Sequence, residues 1–402
     1  MIRPDLVPEP VLQCLRRLEA AGHEAWLVGG ALRNLCSGRP SADWDVATAA
    51  TPEQTLLVFG AETAVQIGRR HGTIRVIIEG LGVDVTTFRL DGYYADGRRP
   101  EQVTYTSSVR EDLSRRDFTL NAMAWHPERG LFDPFGGAAD LRQGILRAVG
   151  EPSARLGEDA LRIMRGLRFA AVFGYALDPA LLAAMTQHAP LLRRLPQERL
   201  GSEWSALLFG DGAASVVAGH FSILRFALPE SGQARPFQAW RALFKLADGT
   251  IARHIAFALA MDLDAAWFAS LVLDPKDRRD AKAVFQLFRS ESLTDLPERP
   301  VWLWHAAVLG ADLVALYFAV RIALTGEDEA LRAFVSDLAR WRAETPAAVA
   351  DLAVDGHDLL ALGVPPPKIG DAIKRLFFEV AAGARANKKE TLLAAAKLWY
   401  NC

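Results

Sequence analysis

The stretch Ala25-Trp26-Leu27-Val28-Gly29-Gly30-Ala31-Leu32-Arg33, with Asp43-Trp44-Asp45-Val46-Ala47 soon after it, decides how the first third of the chain is read. A short apolar run ends on two glycines, a helical pattern begins, and a strand-like run then carries aspartates at alternate positions. Side chains two apart on a strand point the same way, so Asp43 and Asp45 are expected to project together while Trp44 and Val46 face the core. Two convergent carboxylates repel, and they are stable together mainly with a cation between them. Hard oxygen ligands suit Mg²⁺, which binds through one or two carboxylates plus substrate phosphates. Gly29 and Gly30 let the backbone approach such a phosphate, and a following helix N-terminus favours the anion. A turn with two solvated aspartates has the same spelling, so the neighbouring motifs must decide.

Outward from this stretch, a helix is expected from about Pro8 to Ala21. Two β-branched runs, Thr73–Ile78 and Val83–Phe88, flank a break at Gly80–Gly82 and predict a hairpin. Asp84 lies inside the second run, where an acidic residue faces either solvent or a metal; as a third carboxylate it would complete a two-metal site. In Arg115-Arg116-Asp117-Phe118-Thr119-Leu120-Asn121, the adjacent arginines could clamp a triphosphate and Asp117 and Asn121 could hold a sugar hydroxyl. Surface ion pairs at a helix start would look similar. In Glu158-Asp159-Ala160-Leu161-Arg162-Ile163-Met164-Arg165-Gly166-Leu167-Arg168, the spacing puts Asp159, Arg162, Arg165 and Arg168 along one side of a helix. An ordinary solvated helix face is the alternative.

Beyond about residue 150 the apolar spacing is helical, as in Phe237, Trp240, Phe244 and Ala247, and prolines punctuate it. The chain has 402 residues, half of them apolar and 23% charged, which excludes wholesale disorder. Cys14, Cys36 and Cys402 are too few for a disulfide framework or a zinc pair and fit a reducing compartment. No cationic, apolar leader opens the chain, so export is not expected. The apolar run Trp302–Val320 carries His305 and Asp312, and Asp costs ~2.5–3.5 kcal/mol at a bilayer centre, so a buried helix is expected there and no membrane partner. Net charge is −2, yet only eight of the 46 basic side chains are lysine, and arginine suits planar phosphate and base recognition. Lys368–Lys397 carries seven basic and three acidic residues, so any nucleic-acid surface should be local.

The order of these motifs resembles the class II tRNA nucleotidyltransferase family, the CCA-adding enzymes and related bacterial poly(A) polymerases. The resemblance extends to Thr86–Gly92 through Asp96–Pro100 as the family's flexible loop and to Asp133–Gly137 through Asp140-Leu141 as its hinge. Glu198-Arg199 with Glu203 looks like its fifth motif, and Val354–Leu360 with Gly370 and Asn387 is similar to the tail of the compact bacterial enzymes. Two departures stand out. Asn34 replaces the usual Asp after the Gly-Gly-x-x-Arg arginine but can still accept a hydrogen bond, and Asp84 stands where many members have Glu. His357-Asp358 is a lone pair and gets no metal.

The resemblance implies an α+β multidomain chain: a nucleotidyltransferase palm over 1–148 with a mixed sheet, a helical neck over 149–210 that recognises the base, a helical body over 211–345 and a tRNA-binding tail over 346–402. It implies addition of C, C and A to the 3′ end of tRNA from CTP and ATP in the cytoplasm, with no obligate protein partner. Asp43 and Asp45 would hold Mg²⁺, Asp84 would orient or deprotonate the attacking hydroxyl, and Gly29, Gly30, Arg33 and Arg116 would contact the nucleotide. Asp159 and Arg162 would offer acceptor beside donor to C and A, with Arg165 and Arg168 extending that face and Asp117 and Asn121 completing the nucleotide site. CC-only or A-only addition, poly(A) polymerase activity, and a catalytically silent tRNA-binding protein are the alternatives. Ile67–Thr73 resembles the CCA-type strand entry, the loop Asp91–Pro100 argues against CC-only addition, and the intact Asp43 and Asp45 argue against silence.

Overall fold

The apolar run Ala25–Val28 lies near the middle of a seven-stranded mixed sheet and is buried at all four positions. The computed structural model describes residues 4–60, 63–68, 72–91, 103–229, 236–246, 250–290, 298–326, 329–344, 346 and 348–400. It forms two units, Met1–Leu228 and Pro229–Cys402. In the first, α1 (Glu9–Ala20), β1 (Ala25–Val28), α2 (Gly29–Cys36), β2 (Trp44–Thr48), α3 (Pro52–Phe59), β3 (Ala64–Gly68), β4 (Thr73–Ile78) and β5 (Leu81–Thr87) come in order. The strands β6 (Arg89–Asp91) and β7 (Val103–Tyr105) lead to α4 (Val109–Ser114), β8 (Ala124–His126), β9 (Gly130–Phe132), α5 (Gly137–Gln143) and β10 (Ile145–Leu146). Then follow α6 (Pro152–Glu158), α7 (Leu161–Phe173), β11 (Ala176–Leu177), α8 (Pro179–His188), α9 (Gln197–Phe209) and α10 (Ala213–Leu224).

The sheet runs β3-β4-β5-β2-β1-β8-β9, with β2 and β5 parallel and the other pairs antiparallel. Both faces are covered near its centre. Leu27, Val46 and Val85 pack with Val11, Leu15 and Leu18 of α1, while Trp26, Val28 and Ala47 pack with Phe88 and Leu113. This is why β1 reads as unbroken apolar sequence. In β2 the expected alternation holds: Trp44 and Val46 are buried and Asp45 is half-buried. The strand starts one residue later than expected, so Asp43 sits just outside it, exposed. The hairpin joins Ile78 to Leu81 through Glu79-Gly80, both in the left-handed region (φ 50° and 82°), the geometry of a two-residue I′ turn. Gly82 belongs to the strand opposite Ile77, so the expected break moves upstream.

The second unit is helical among the described residues: α11 (Pro236–Lys245), α12 (Ile251–Ala260), α13 (Trp267–Ser270), α14 (Pro275–Ser290), α15 (Arg299–Leu309), α16 (Ala311–Thr325), α17 (Glu329–Glu344), α18 (Gly356–Ala361), α19 (Ile369–Ala381) and α20 (Lys389–Tyr400). Two expectations change here. The run Trp302–Val320 is two helices parted at Gly310 (φ 97°), and no described helix is long and apolar enough to cross a membrane. Among the described side chains of α11, Ala242 and Leu243 are buried, with Leu246 just beyond, whereas Phe244, which the expected stripe includes, is 58% exposed. Ala247 and residues 69–71 and 92–100 of the quoted motifs lie outside the described residues.

The expected hinge residues brace a 3-10 turn, Thr119–Asn121. Asp133 accepts from the amides of Gly137 and Ala138 at 2.8 and 2.9 Å, capping α5, and Thr119 Oγ1 donates to Asp140 Oδ2 at 2.7 Å. A Cβ on Gly137 would stand 2.1 Å from the Thr119 carbonyl oxygen. Backbone cannot swing aside as a side-chain tip can, so Gly137→Ala is expected to lose ~1–3 kcal/mol in urea denaturation. Gly370→Ala, in an open position of α19, should be neutral or slightly stabilising. Matching midpoints for the two variants would remove the steric reading.

Candidate active site

One cleft of about 740 Å³ gathers most of the expected site residues, all within the first unit. Its wall carries Gly29, Gly30, Arg33, Asp45, Arg116, Asp117, Asn121, Asp159, Arg162, Arg165 and Arg168, together with Thr73, Thr86, Arg89, Arg115, Phe169 and Arg199. Eight of the lining side chains are arginines and three are aspartates. Such a wall suits a polyanion with planar, fork-shaped recognition. Asp43 and Asp84 do not line it.

Gly29 is required at its position. Its φ is +76°, and a Cβ there would meet Asp45 Oδ2 at 2.7 Å. The turn from β1 into α2 therefore packs directly on the β2 carboxylate, because Val28 and Asp45 are cross-strand partners. A Cβ on Gly30 would meet the Arg33 Nη2 at 3.6 Å, an ordinary contact. The Asp45 carboxyl is pushed up by burial, with Asp84 and Asp43 adding and Arg116 opposing. A hard cation shared with Asp43 would relieve that repulsion. Among the described residues no group of three or more His, Cys, Asp or Glu could hold a metal ion. Two carboxylates with the remaining positions filled by substrate phosphate fit a divalent cation of the Mg²⁺ kind.

Asp84 lies beside Asp45 in the parallel pairing of β5 with β2 and is grasped by Arg75 of β4. Arg33 is buried beneath Phe169 and Phe173, its charge 5.0 and 4.7 Å from their centroids. It donates to Asn121 Oδ1 at 2.9 Å and to Asn34 Oδ1 at 3.1 Å, so Asn34 supplies the acceptor expected of it. Asn121 Nδ2 donates to Asp117 Oδ1 at 2.9 Å, and Arg165 Nε donates to Asp117 Oδ2 at 2.8 Å. Burial alone would raise the Asp117 carboxyl, but Arg165, Asn121 and the Phe118 amide bring it down to about 2.

Sequence reasoning missed Asp112, 1% exposed, which accepts from Arg115 at 2.7 and 3.0 Å and from Arg116 at 3.1 Å. Burial raises its carboxyl, and the two guanidiniums outweigh that and hold it low. The available signal was spacing: Asp112 stands three and four residues before the arginine pair. Asp159 corrects the expectation of a single helix face. It is extended between α6 and α7, its Oδ1 accepting from the Leu161 amide at 3.0 Å and its Oδ2 from Arg199 at 3.0 Å. Arg162, Arg165 and Arg168 are on α7. Arg162 donates to the Arg155 carbonyl, Glu158 Oε2 and the Arg115 carbonyl at 2.9, 2.7 and 3.0 Å, while Arg168 pairs with buried Glu203 at 2.6 Å. Among the described residues, Nε of Arg33 and Arg116 and Nη1 of Arg199 are buried with no acceptor in the protein.

A family model described as the poly A polymerase head domain matches residues 25–147, and one described as a probable RNA and SrmB-binding site of polymerase A matches 174–231. The chain is 35% identical to a CCA-adding enzyme of Limosilactobacillus fermentum and 34% identical to one of Geobacillus stearothermophilus, each over 96% of both chains. It superposes on the Bacillus stearothermophilus CCA-adding enzyme in complex with CTP with a TM-score of 0.77 at 30% identity, over 98% of this chain and 99% of that one.

The buried Asp117 carries a pH signature. A carboxyl held at about 2 in the fold stabilises it above the ordinary carboxyl range, and that contribution is lost as pH falls towards 2. Asp117→Asn should be less stable than the parent at pH 6, with the gap in urea narrowing by ~1 kcal/mol at pH 3. A gap that stays constant would take Asp117 out of the linkage.

Proposed function

The chain belongs to the CCA-adding enzymes, and we propose that the arginine-rich cleft of its first unit is the catalytic site. The reaction is addition of C, C and A to the 3′ end of tRNA from CTP and ATP, without a nucleic-acid template and with release of pyrophosphate. The observation that carries the assignment is the eight guanidiniums gathered around half-buried Asp45, a charge pattern suited to a nucleoside triphosphate.

Membership implies a divalent metal, which we take to be Mg²⁺ held by Asp43 and Asp45 with the triphosphate oxygens. When bound it supplies a charge clamp on the triphosphate and acidifies the attacking hydroxyl. The protein's own groups do the rest. Asp84 orients the tRNA 3′-hydroxyl, Gly29 and Gly30 open the N-terminus of α2 to the phosphates, and Arg33 and Arg116 take up their charge. Asp117 and Asn121 hold Arg33 and Arg165 in place and turn their cleft-side atoms to the ribose. The free thiols Cys14 and Cys36 suit a reducing, cytoplasmic setting.

Base choice falls to Asp159 and Arg162. Three of the five N–H donors of Arg162 are spent on protein acceptors, which leaves two for a base edge. Each Asp159 oxygen keeps a second lone pair for the amino group of C or A. G and U present the reverse polarity and would leave buried groups unpaired, at ~1–3 kcal/mol each. Arg165 and Arg168 brace this pair. We divide the helical remainder into a neck over 149–210 and body over 211–345 for the acceptor stem, and a tail over 346–402 for the elbow, where the Lys368–Lys397 charge lies.

The deciding assay offers tRNA lacking its last one, two or three nucleotides with CTP alone, ATP alone and both, and sizes the products. Full CCA addition completes the tRNA lacking one nucleotide with ATP alone and those lacking two or three only with both nucleotides; runs of A, or arrest after CC with ATP present, would overturn it. Asp45→Asn should abolish addition while leaving tRNA binding nearly unchanged. Asp159→Ala should lower the kcat/KM preference for CTP and ATP over UTP and GTP by roughly one to two powers of ten. An unchanged ratio would leave Asp159 a structural residue that caps α7 and pairs with Arg199.

A further inference from the structure

Arg75 and Asp84 are direct partners across β4 and β5, and Arg75 Nε and Nη2 donate to Asp84 Oδ1 and Oδ2 at 2.7 and 2.8 Å. Asp84 is also the register partner of Asp45 on the other side, so Arg75, Asp84 and Asp45 follow one another across three neighbouring strands. Residues in register share a sheet face. The Arg75 charge is felt at Asp43 and Asp45 as well as at Asp84. Arg75 does not line the cleft, and its Nε and Nη2 are committed to Asp84.

The two-pronged pair has two consequences. It occupies one lone pair on each Asp84 oxygen in a fixed plane, which keeps that carboxylate from turning towards a cation between Asp43 and Asp45. It also sets one positive charge beside Asp84 and Asp45, where Asp43 adds negative charge and Arg116 already opposes it. Without Arg75 the carboxylates would lose a countercharge and Asp84 would become a free ligand.

We propose that Arg75 is a positioning residue that acts as the built-in countercharge of the carboxylate face, holding Asp84 off the metal and moderating how tightly Asp43 and Asp45 bind a divalent cation. The proposal rests on the assignment of Asp43 and Asp45 as metal ligands. A fixed cation near a divalent ion weakens its binding by Coulomb repulsion, and removing it works in the same direction as freeing Asp84.

The test uses the full chain without nucleotide or tRNA and Mn²⁺ as the only metal, with free Mn²⁺ counted by electron paramagnetic resonance. Arg75→Gln is expected to tighten Mn²⁺ binding about three- to tenfold. The double variant Arg75→Gln/Asp84→Asn, which restores the net charge and removes the freed ligand, should return to the parental affinity. Unchanged Mn²⁺ affinity in Arg75→Gln, or a double variant as tight as the single one, would overturn the proposal. Asp45→Asn keeps this distinct from the underlying assignment: it should lose Mn²⁺ binding, and parental binding there would sink the metal site itself.

Discussion

Asp117 accepts from Arg165, from Asn121 and from the Phe118 amide while only 8% exposed, and the cleft is organised around that carboxylate. Taking an ion out of water costs several kcal/mol, and it is tolerated only when geometry is good and the remaining lone pairs are filled. Here the donors come from separate parts of the chain. Asn121 belongs to the 3-10 turn and passes the connection on to Arg33 of α2, while Arg165 belongs to α7. Arg33, Asn121 and Arg165 therefore cannot shift independently. The motifs are far apart in sequence but mechanically one piece, and α5 locks the turn from behind through Asp140 and Thr119.

Crowding eight guanidiniums into one wall raises a repulsion problem, and the fold answers it with carboxylates that the cleft mostly does not show. Asp112 holds Arg115 and Arg116, Glu158 holds Arg155 and Arg162, and Glu203 holds Arg168. Each of these guanidiniums is aimed before any ligand arrives, so less side-chain freedom remains to be lost on binding. The same pairing explains how a chain of net charge −2 carries a strongly cationic site. Positive charge is concentrated by pairing it with carboxylates set behind the cleft wall rather than by excess over the whole sequence.

Much of this was legible because strand and helix periods speak about neighbours in sequence. The face alternation of Trp44, Asp45 and Val46, the β4–β5 hairpin and the helical change after about residue 150 follow from period and turn residues alone. What was not legible depends on pairing between strands or on helix ends. The partnership of Arg75 with Asp84 exists only because β4 and β5 meet in that register. Asp159 reads as helical by spacing, yet it serves the first turn of α7 by accepting the Leu161 amide, the kind of local competition that draws aspartate out of helices. Strands as short as β8, three residues, offer too few positions to show any alternation. Phe244 is exposed although it fits an apolar stripe, since the buried side of α11 is set by what packs on it.

The two groups proposed to read the base are not held equally. Arg162 is tied by two backbone carbonyls and Glu158, and it is 8% exposed. Backbone acceptors move only if their segments move, so this guanidinium is a fixed reference. Asp159 is tied to one amide of its own turn and to Arg199, whose side chain is 27% exposed. Cytosine and adenine differ in size but share an amino donor beside a ring acceptor. A site that serves both needs one edge that stays put and one that adjusts. If these two residues read the base as proposed, the acceptor side, Asp159 with Arg199, would have the freedom to follow the amino group from one ring to the other, while Arg162 would keep the polarity of the pair and with it the exclusion of G and U.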